Sequence, residues 1–191
     1  MLWRCINTFL QRKSGEEELY RVADLIFSQL IEAKDINVSI SNLQFSSYQA
    51  NYVYTGKDDF ITQTIPQLEQ YVQSHPENND IPYKQQLLNN LKFKHEKSPM
   101  TLSLYSHIID LGGLMFITLP GDITAVFAKR IREAFQDKIV IIMGYCENYS
   151  NYFVCEEDYG LYFETYISRL EKGNADDFID HTILCAKELC K

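Results

Sequence analysis

Two short segments of this chain hold side chains that could do chemistry. Leu119-Pro-Gly-Asp122 delivers a carboxylate, and Gly144-Tyr-Cys-Glu-Asn-Tyr-Ser-Asn-Tyr152 delivers Glu147 with Tyr145, Tyr149 and Tyr152. Carboxylates and phenols can bind a cation or move a proton, and α/β sheets gather such groups where strands end at their carboxyl edge. Taken alone, Asp122 reads as a helix N-cap worth about 1 kcal/mol. The tyrosines alone read as packing residues with a polar tip. Asp177, His181 and Cys185 are spaced four apart, so they stack on one helix face with ligand spacing, but Cys185 also falls on an apolar stripe and reads as a small hydrophobe. His107 sits inside a strand and His75 in a Pro-bounded turn, and neither has a partner for acid–base work in the sequence around it. Nucleophilic catalysis has no support: there is no Gly-x-Ser-x-Gly, and Cys146 is adjacent to Glu147, which disfavours a thiolate.

The elements that must position these groups follow from periodicity. Ser14-Gly-Glu-Glu17 has capping-box spacing, and Leu19, Val22, Ala23, Ile26, Phe27, Leu30 and Ile31 then recur as one helix face over 16–33. Leu2, Ile6, Phe9 and Leu10 form an apolar stripe on a short leading helix. The segments 36–45 and 48–55 read as two paired strands, and helices are expected over 62–74, with Pro66 near the first turn, and over 82–91. From Thr101, two strands flank the turn at Gly112-Gly113. A helix over 123–136 is entered directly from Pro-Gly-Asp. The run Ile139-Val-Ile-Ile-Met143 then reads as a strand buried on both faces. Strand, helix and strand in succession make a βαβ unit. Glu156-Glu-Asp158 opens a further helical segment, and Asp176-Asp177 opens a final helix with Phe178, Thr182, Cys185, Ala186 and Leu189 on one face. The fold class expected is α/β (mixed α+β), a mixed β-sheet flanked by helices, in a single domain spanning 1–191.

Composition bounds the function. A chain of 191 residues, 46% hydrophobic and 23% charged, forms a core without a disulfide or metal staple. Eighteen Lys and Arg against 26 Asp and Glu leave a net charge of −8, which disfavours nucleic acid as a partner. No transmembrane segment is expected. Five cysteines without a CxxC pair fit reduced thiols and a cytoplasmic setting. Tyrosine is abundant, with 13 copies to one Trp, and Tyr145, Tyr149, Tyr152, Tyr159, Tyr162 and Tyr166 cluster late in the chain.

The order of motifs from about 113 to 166, within the span 101–172, is informative as a whole. A strand ends in Pro120-Gly121-Asp122; a helix carries Lys129-Arg-Ile-Arg-Glu-Ala134; the strand 139–143 follows. Then come Glu147-Asn-Tyr-Ser-Asn-Tyr152, Glu157-Asp-Tyr159 and Phe163-Glu164. This succession resembles the neutral ceramidase family, the zinc-dependent amidases that cleave N-acyl sphingosine. There Pro-Gly-Glu, Arg-Arg-Leu-Arg-Glu-Ala, a buried strand, Asn-x-Tyr-x-x-Tyr, Glu-Glu-Tyr and Tyr-Glu follow in the same order.

The resemblance implies the C-terminal part of a larger catalytic domain. Its zinc would be held by two histidines from an N-terminal half, by the Glu of Pro-Gly-Glu, and by the second tyrosine of Tyr-x-x-Tyr. Carried over, the metal ligands are Asp122 and Tyr152, the cofactor is zinc, and the substrate is a lipid amide. The partner implied is a His-bearing N-terminal half or a second copy of the chain. Departures accompany the match. Asp122 replaces Glu and shortens the reach by about 1.5 Å. Glu147 stands for Asn, and Val154-Cys155 for Thr-Thr. His75, His95, His107 and His181 lie in no matching context. The chain is therefore expected to be inactive alone, with a zinc-free binding or scaffold module of the same fold as the alternative.

Overall fold

In a computed structural model of the chain, the described residues are 37–191 together with positions 20, 21, 23–25 and 28. The chain divides into two units, residues 1–39 and 40–191. In the first, Tyr20, Arg21, Ala23, Asp24, Leu25 and Ser28 are helical, within the helix expected over 16–33. The capping box at Ser14, the leading stripe from Leu2 to Leu10, and Ile36 lie outside the described residues.

The second unit is mixed α/β. Strand β1 (Ile40–Tyr54) is followed by helices α1 (Asp59–Ser74) and α2 (Ile81–Glu96), then strands β2 (Met100–Gly112), β3 (Leu114–Thr118) and β4 (Asp122–Ile123). Helix α3 (Ala125–Ala134), strands β5 (Ile139–Met143) and β6 (Tyr152–Phe153), and helices α4 (Phe163–Ile167) and α5 (Asn174–Leu189) complete it. Four strands form one sheet in the order β1-β2-β3-β5, and β4 pairs with β6 in a second, two-stranded sheet. β1 and β2 run antiparallel, as do β2 and β3, while β3 and β5 are parallel across α3, which realises the expected βαβ unit.

One face of the larger sheet is the core. Leu104, Ile108, Met115, Ile117 and Val140 pack there against Phe127 and Ile131 of α3 and Phe178, Ile179 and Ile183 of α5. A smaller cluster joins Tyr54 at the end of β1 to Ile61 and Leu68 of α1 and Leu87, Leu88 and Leu91 of α2. On the opposite face of the sheet, Phe45, Ile109, Phe116 and Ile141 stand in register across all four strands. Phe45 and Ile141 are 61% and 41% exposed there. No described helix is long and apolar enough to cross a membrane.

Several expectations are corrected. The two strands read over 36–45 and 48–55 are one strand, β1, paired with β2 instead of with each other. Ser46-Ser47 supplies no turn, so the alternation runs through it. α1 begins earlier than expected, because Asp58 caps it by accepting from the Ile61 N–H at 2.8 Å, and Pro66 lies inside the helix. α2 continues five residues past Leu91 to Glu96. β5 is an edge strand with Ile141 and Met143 exposed, and so is not buried on both faces. The acidic run at 156–158 makes only a 3₁₀ turn, with helix resuming at Phe163.

Candidate functional site

Asp122 does not cap a helix. Residues 122–123 are extended and paired with β6, so the residue preceding α3 is Thr124, whose side chain makes no capping bond. In the parallel pair β4/β6, Asp122 and Tyr152 are direct register partners and Ile123 faces Phe153. Partners in register share a sheet face, so the two predicted ligands, thirty residues apart in sequence, are neighbours.

The loop between β5 and β6 is clamped onto the segment that leads into Asp122. The N–H groups of Tyr145, Cys146 and Ser150 donate to the carbonyls of Gly121, Leu119 and Pro120 at 3.1, 3.1 and 2.8 Å. The Asp122 N–H donates to the Asn151 carbonyl at 2.9 Å, and the buried Ser150 hydroxyl adds a second bond to the Pro120 carbonyl at 2.7 Å. Gly121 is required by this approach: a Cβ there would stand 2.4 Å from the Asn151 carbonyl oxygen and 2.9 Å from the Phe153 ring. Tyr145, Glu147 and Asn151 adopt positive φ of 59°, 57° and 64°. Side-chain-bearing residues hold that conformation only where surrounding bonds over-determine it, as the loop clamp does here.

The clamp sets two phenols beside one carboxylate. Tyr145 lies beside Asp122, whose carboxylate pushes its phenol up to about 12. Its ring stacks on Tyr149, with centroids 5.4 Å apart and planes 14° apart. The Tyr152 phenol is also raised, first by burial and then by the charges of Asp122 and, more weakly, Glu164. Carboxylate and phenol oxygens are chemically suited to a divalent cation. Among the described residues, however, no group of three His, Cys, Asp or Glu side chains is placed to hold one.

The histidines are engaged elsewhere. His107 is paired after all: its Nε2 lies 3.2 Å from Glu147 Oε1, and its ring stacks on Phe45 at 5.7 Å. The sequence could not show that partner, because it comes from the loop forty residues later. His75 stacks on Tyr71 and bonds Ser74 Oγ at 2.8 Å, and His95 bonds the Gly56 carbonyl at 2.8 Å. His181 Nδ1 sits 2.9 Å from the Asp177 carbonyl of its own helix, while Cys185 Sγ lies 3.1 Å from Ser46 Oγ. The Cys185 contact ties α5 to β1, and Cys185 also packs half-buried against the core, as the small-hydrophobe reading expects. Cys146, Cys155, Cys185 and Cys190 are free thiols. A groove of about 290 Å³ lined by Leu68, Tyr71, Asp80, Lys84 and Tyr166 shares no residue with the Asp122 loop.

No family model and no curated protein matches the chain. Among solved structures, it is similar to a neutral ceramidase from Pseudomonas aeruginosa, at 21% identity and a TM-score of 0.40 over 46% of this chain and 15% of that one. It is similar also to a ceramidase complexed with C2, at 21% identity and a TM-score of 0.42 over 48% of this chain and 15% of that one. The chain thus spans 15% of the length of each structure it matches.

Proposed function

We propose that this chain is a C-terminal segment of a neutral-ceramidase-like, zinc-dependent amide hydrolase acting on an N-acyl sphingoid or related lipid amide, and that it is inactive without a His-bearing partner. The observation that carries the reading is the register pairing of Asp122 with Tyr152, the two residues onto which the ceramidase motifs fall. Asp122 and Tyr152 would supply two oxygen ligands, and the partner two histidines. Zinc in such a site polarises a carbonyl and lowers the pKa of its water toward about 7. The chain's own contribution is positional. Tyr145 lies beside the shortened Asp122 carboxylate, and the strand register sets Tyr152 next to it. The apolar row from Phe45 to Ile141, exposed at both ends, suits a protein that packs against more polypeptide.

Elemental analysis tests the reading. The purified chain is expected to hold no stoichiometric zinc. Its complex with a polypeptide supplying two histidine motifs is expected to hold zinc and to release fatty acid from an N-acyl sphingoid, with Asp122→Ala and Tyr152→Phe each abolishing both. A complex that takes up no zinc and releases no fatty acid sinks the reading.

A second reading is favoured by one contact. Asp122 already interacts with the Tyr145 phenol, a partner for the shorter carboxylate from within the chain. In that reading the fold serves as a zinc-free binding or scaffold module. The same complex remaining zinc-free and inactive is its expected result.

A further inference from the structure

The inference comes from β5, the edge strand, and is independent of the hydrolase reading. The Ile139 N–H donates to the Gly113 carbonyl at 2.9 Å, and the Met143 carbonyl accepts from the Leu119 N–H at 2.8 Å. Both ends of β5 are thereby turned toward β3. The two-residue period of a strand then turns the N–H and C=O groups of Val140 and Ile142 outward, where among the described residues no further strand follows in the order β1-β2-β3-β5. Edges of native sheets are normally blunted by charge, proline, a bulge or a covering element. Ile139-Val-Ile-Ile-Met143 contains no charge and no proline, pairs with β3 without a register shift, and leaves Ile141 and Met143 exposed.

We propose that β5 pairs antiparallel with β5 of a second copy of this chain, about a two-fold axis through Ile141, joining two four-stranded sheets into one. A second copy is the occupant because the strand is self-complementary. In that register Val140 faces Ile142 of the other copy, so the outward N–H and C=O groups satisfy one another as narrow antiparallel pairs. Ile139 then faces Met143, and Lys138 faces Gly144, so no like charges are opposed. Lys138 is in any case held by the buried Asp110 carboxylate at 2.7 and 2.8 Å. The apolar row Phe45, Ile109, Phe116, Ile141 reaches this edge and becomes continuous between copies. A monomer's largest apolar patch is ~300–600 Å², against the ~800 Å² each partner gives a stable interface, so the contact forms a concentration-dependent dimer. Each copy carries a charge of −8, so added salt strengthens association by screening the repulsion.

Sedimentation velocity on the full chain, up to about 200 µM and at low and high salt, measures the association. Amide exchange read by NMR reports the edge itself. The expected result is a reversible dimer, favoured by salt, in which the Val140 and Ile142 amides gain protection as the dimer fills. Ile141→Lys, at an exposed position, is expected to shift the chain to monomer with an unchanged circular dichroism spectrum; Met143→Lys serves the same purpose if Ile141→Lys misfolds. Val53→Lys, on the opposite edge strand, is expected to leave the dimer intact. A chain that stays monomeric throughout overturns the proposal, as does a dimer that survives both β5 substitutions or dissolves only with Val53→Lys. Protected Val140 and Ile142 amides in a monomer also overturn it, since another segment then covers the edge.

Discussion

At the scale of single residues, the Asp122 cluster turns on which phenol meets the carboxylate. Motif spacing singled out Tyr152, and the strand register sets it beside Asp122, yet the phenol that Asp122 perturbs most is that of Tyr145. Tyr145 is 63% exposed, and its raised pKa, about 12, reflects the interaction of its hydroxyl with Asp122 first and burial second. The sign is fixed: deprotonation would set phenolate against carboxylate. Asp122→Asn is therefore expected to bring the Tyr145 phenol down toward about 10, the ordinary value, in an NMR or ultraviolet titration. A titration unchanged by that substitution would show that Asp122 is not the cause. Positive φ at Tyr145 carries no signature in side-chain type, so the sequence counted this residue among the tyrosines of the loop without setting it beside Asp122.

At the scale of elements, Lys94 of α2 pins three segments together. Its ammonium donates to the Thr165 carbonyl in α4 at 3.2 Å and lies over the Tyr54 ring of β1 at 5.2 Å. The side chain is only 5% exposed, and burial lowers its pKa to about 8 against the opposing pull of Asp58. Folding therefore releases a proton between about pH 8 and the ordinary lysine value of about 10.4, because the unfolded chain binds more protons in that window. Stability from this group is full above the unfolded pKa and is lost as pH falls through the folded one, a span on the order of 3 kcal/mol. Lys94→Met should remove that dependence. In urea titrations, wild-type stability relative to the Lys94→Met variant is expected to rise between pH 8 and 9.5, where unperturbed tyrosines remain largely protonated; a constant difference would refute the assignment. The helix expected over 82–91 stopped short of Lys94, and nothing in the sequence could mark Lys94 as buried, since the acceptor lies 71 residues away.

At the scale of the whole second unit, the core converges on Phe178 of α5. It is fully buried, with ring contacts to Tyr48 and Tyr52 of β1 at 5.4 and 6.4 Å and to Phe153 of β6 at 5.8 Å. One side chain thus couples the four-stranded sheet to the small sheet that holds Asp122 and Tyr152. Phe178→Ala is expected to cost about 3–5 kcal/mol in urea unfolding. It should also loosen the Tyr145–Asp122 contact, seen as a fall in the Tyr145 pKa toward its ordinary value. Stability lost with the Tyr145 titration unmoved would show that the site is supported from elsewhere.

By itself the sequence determined what depends on neighbours along the chain: the mixed α/β class, α1, α2, α3 and α5, the hairpin at Gly112-Gly113, and the strand–helix–strand order around Asp122. Period, capping chemistry and turn residues are local, so they are legible locally. Only the tertiary structure decided that residues 40–54 form one strand, that β5 ends its sheet, that Glu147 reaches His107, and that Asp122 lies in a strand beside Tyr152 instead of capping α3. Each of these is a pairing between distant segments. A run such as Ile139-Val-Ile-Ile-Met143 has the same local pattern at the centre of a sheet as at its edge, and only the absence of a neighbour distinguishes them.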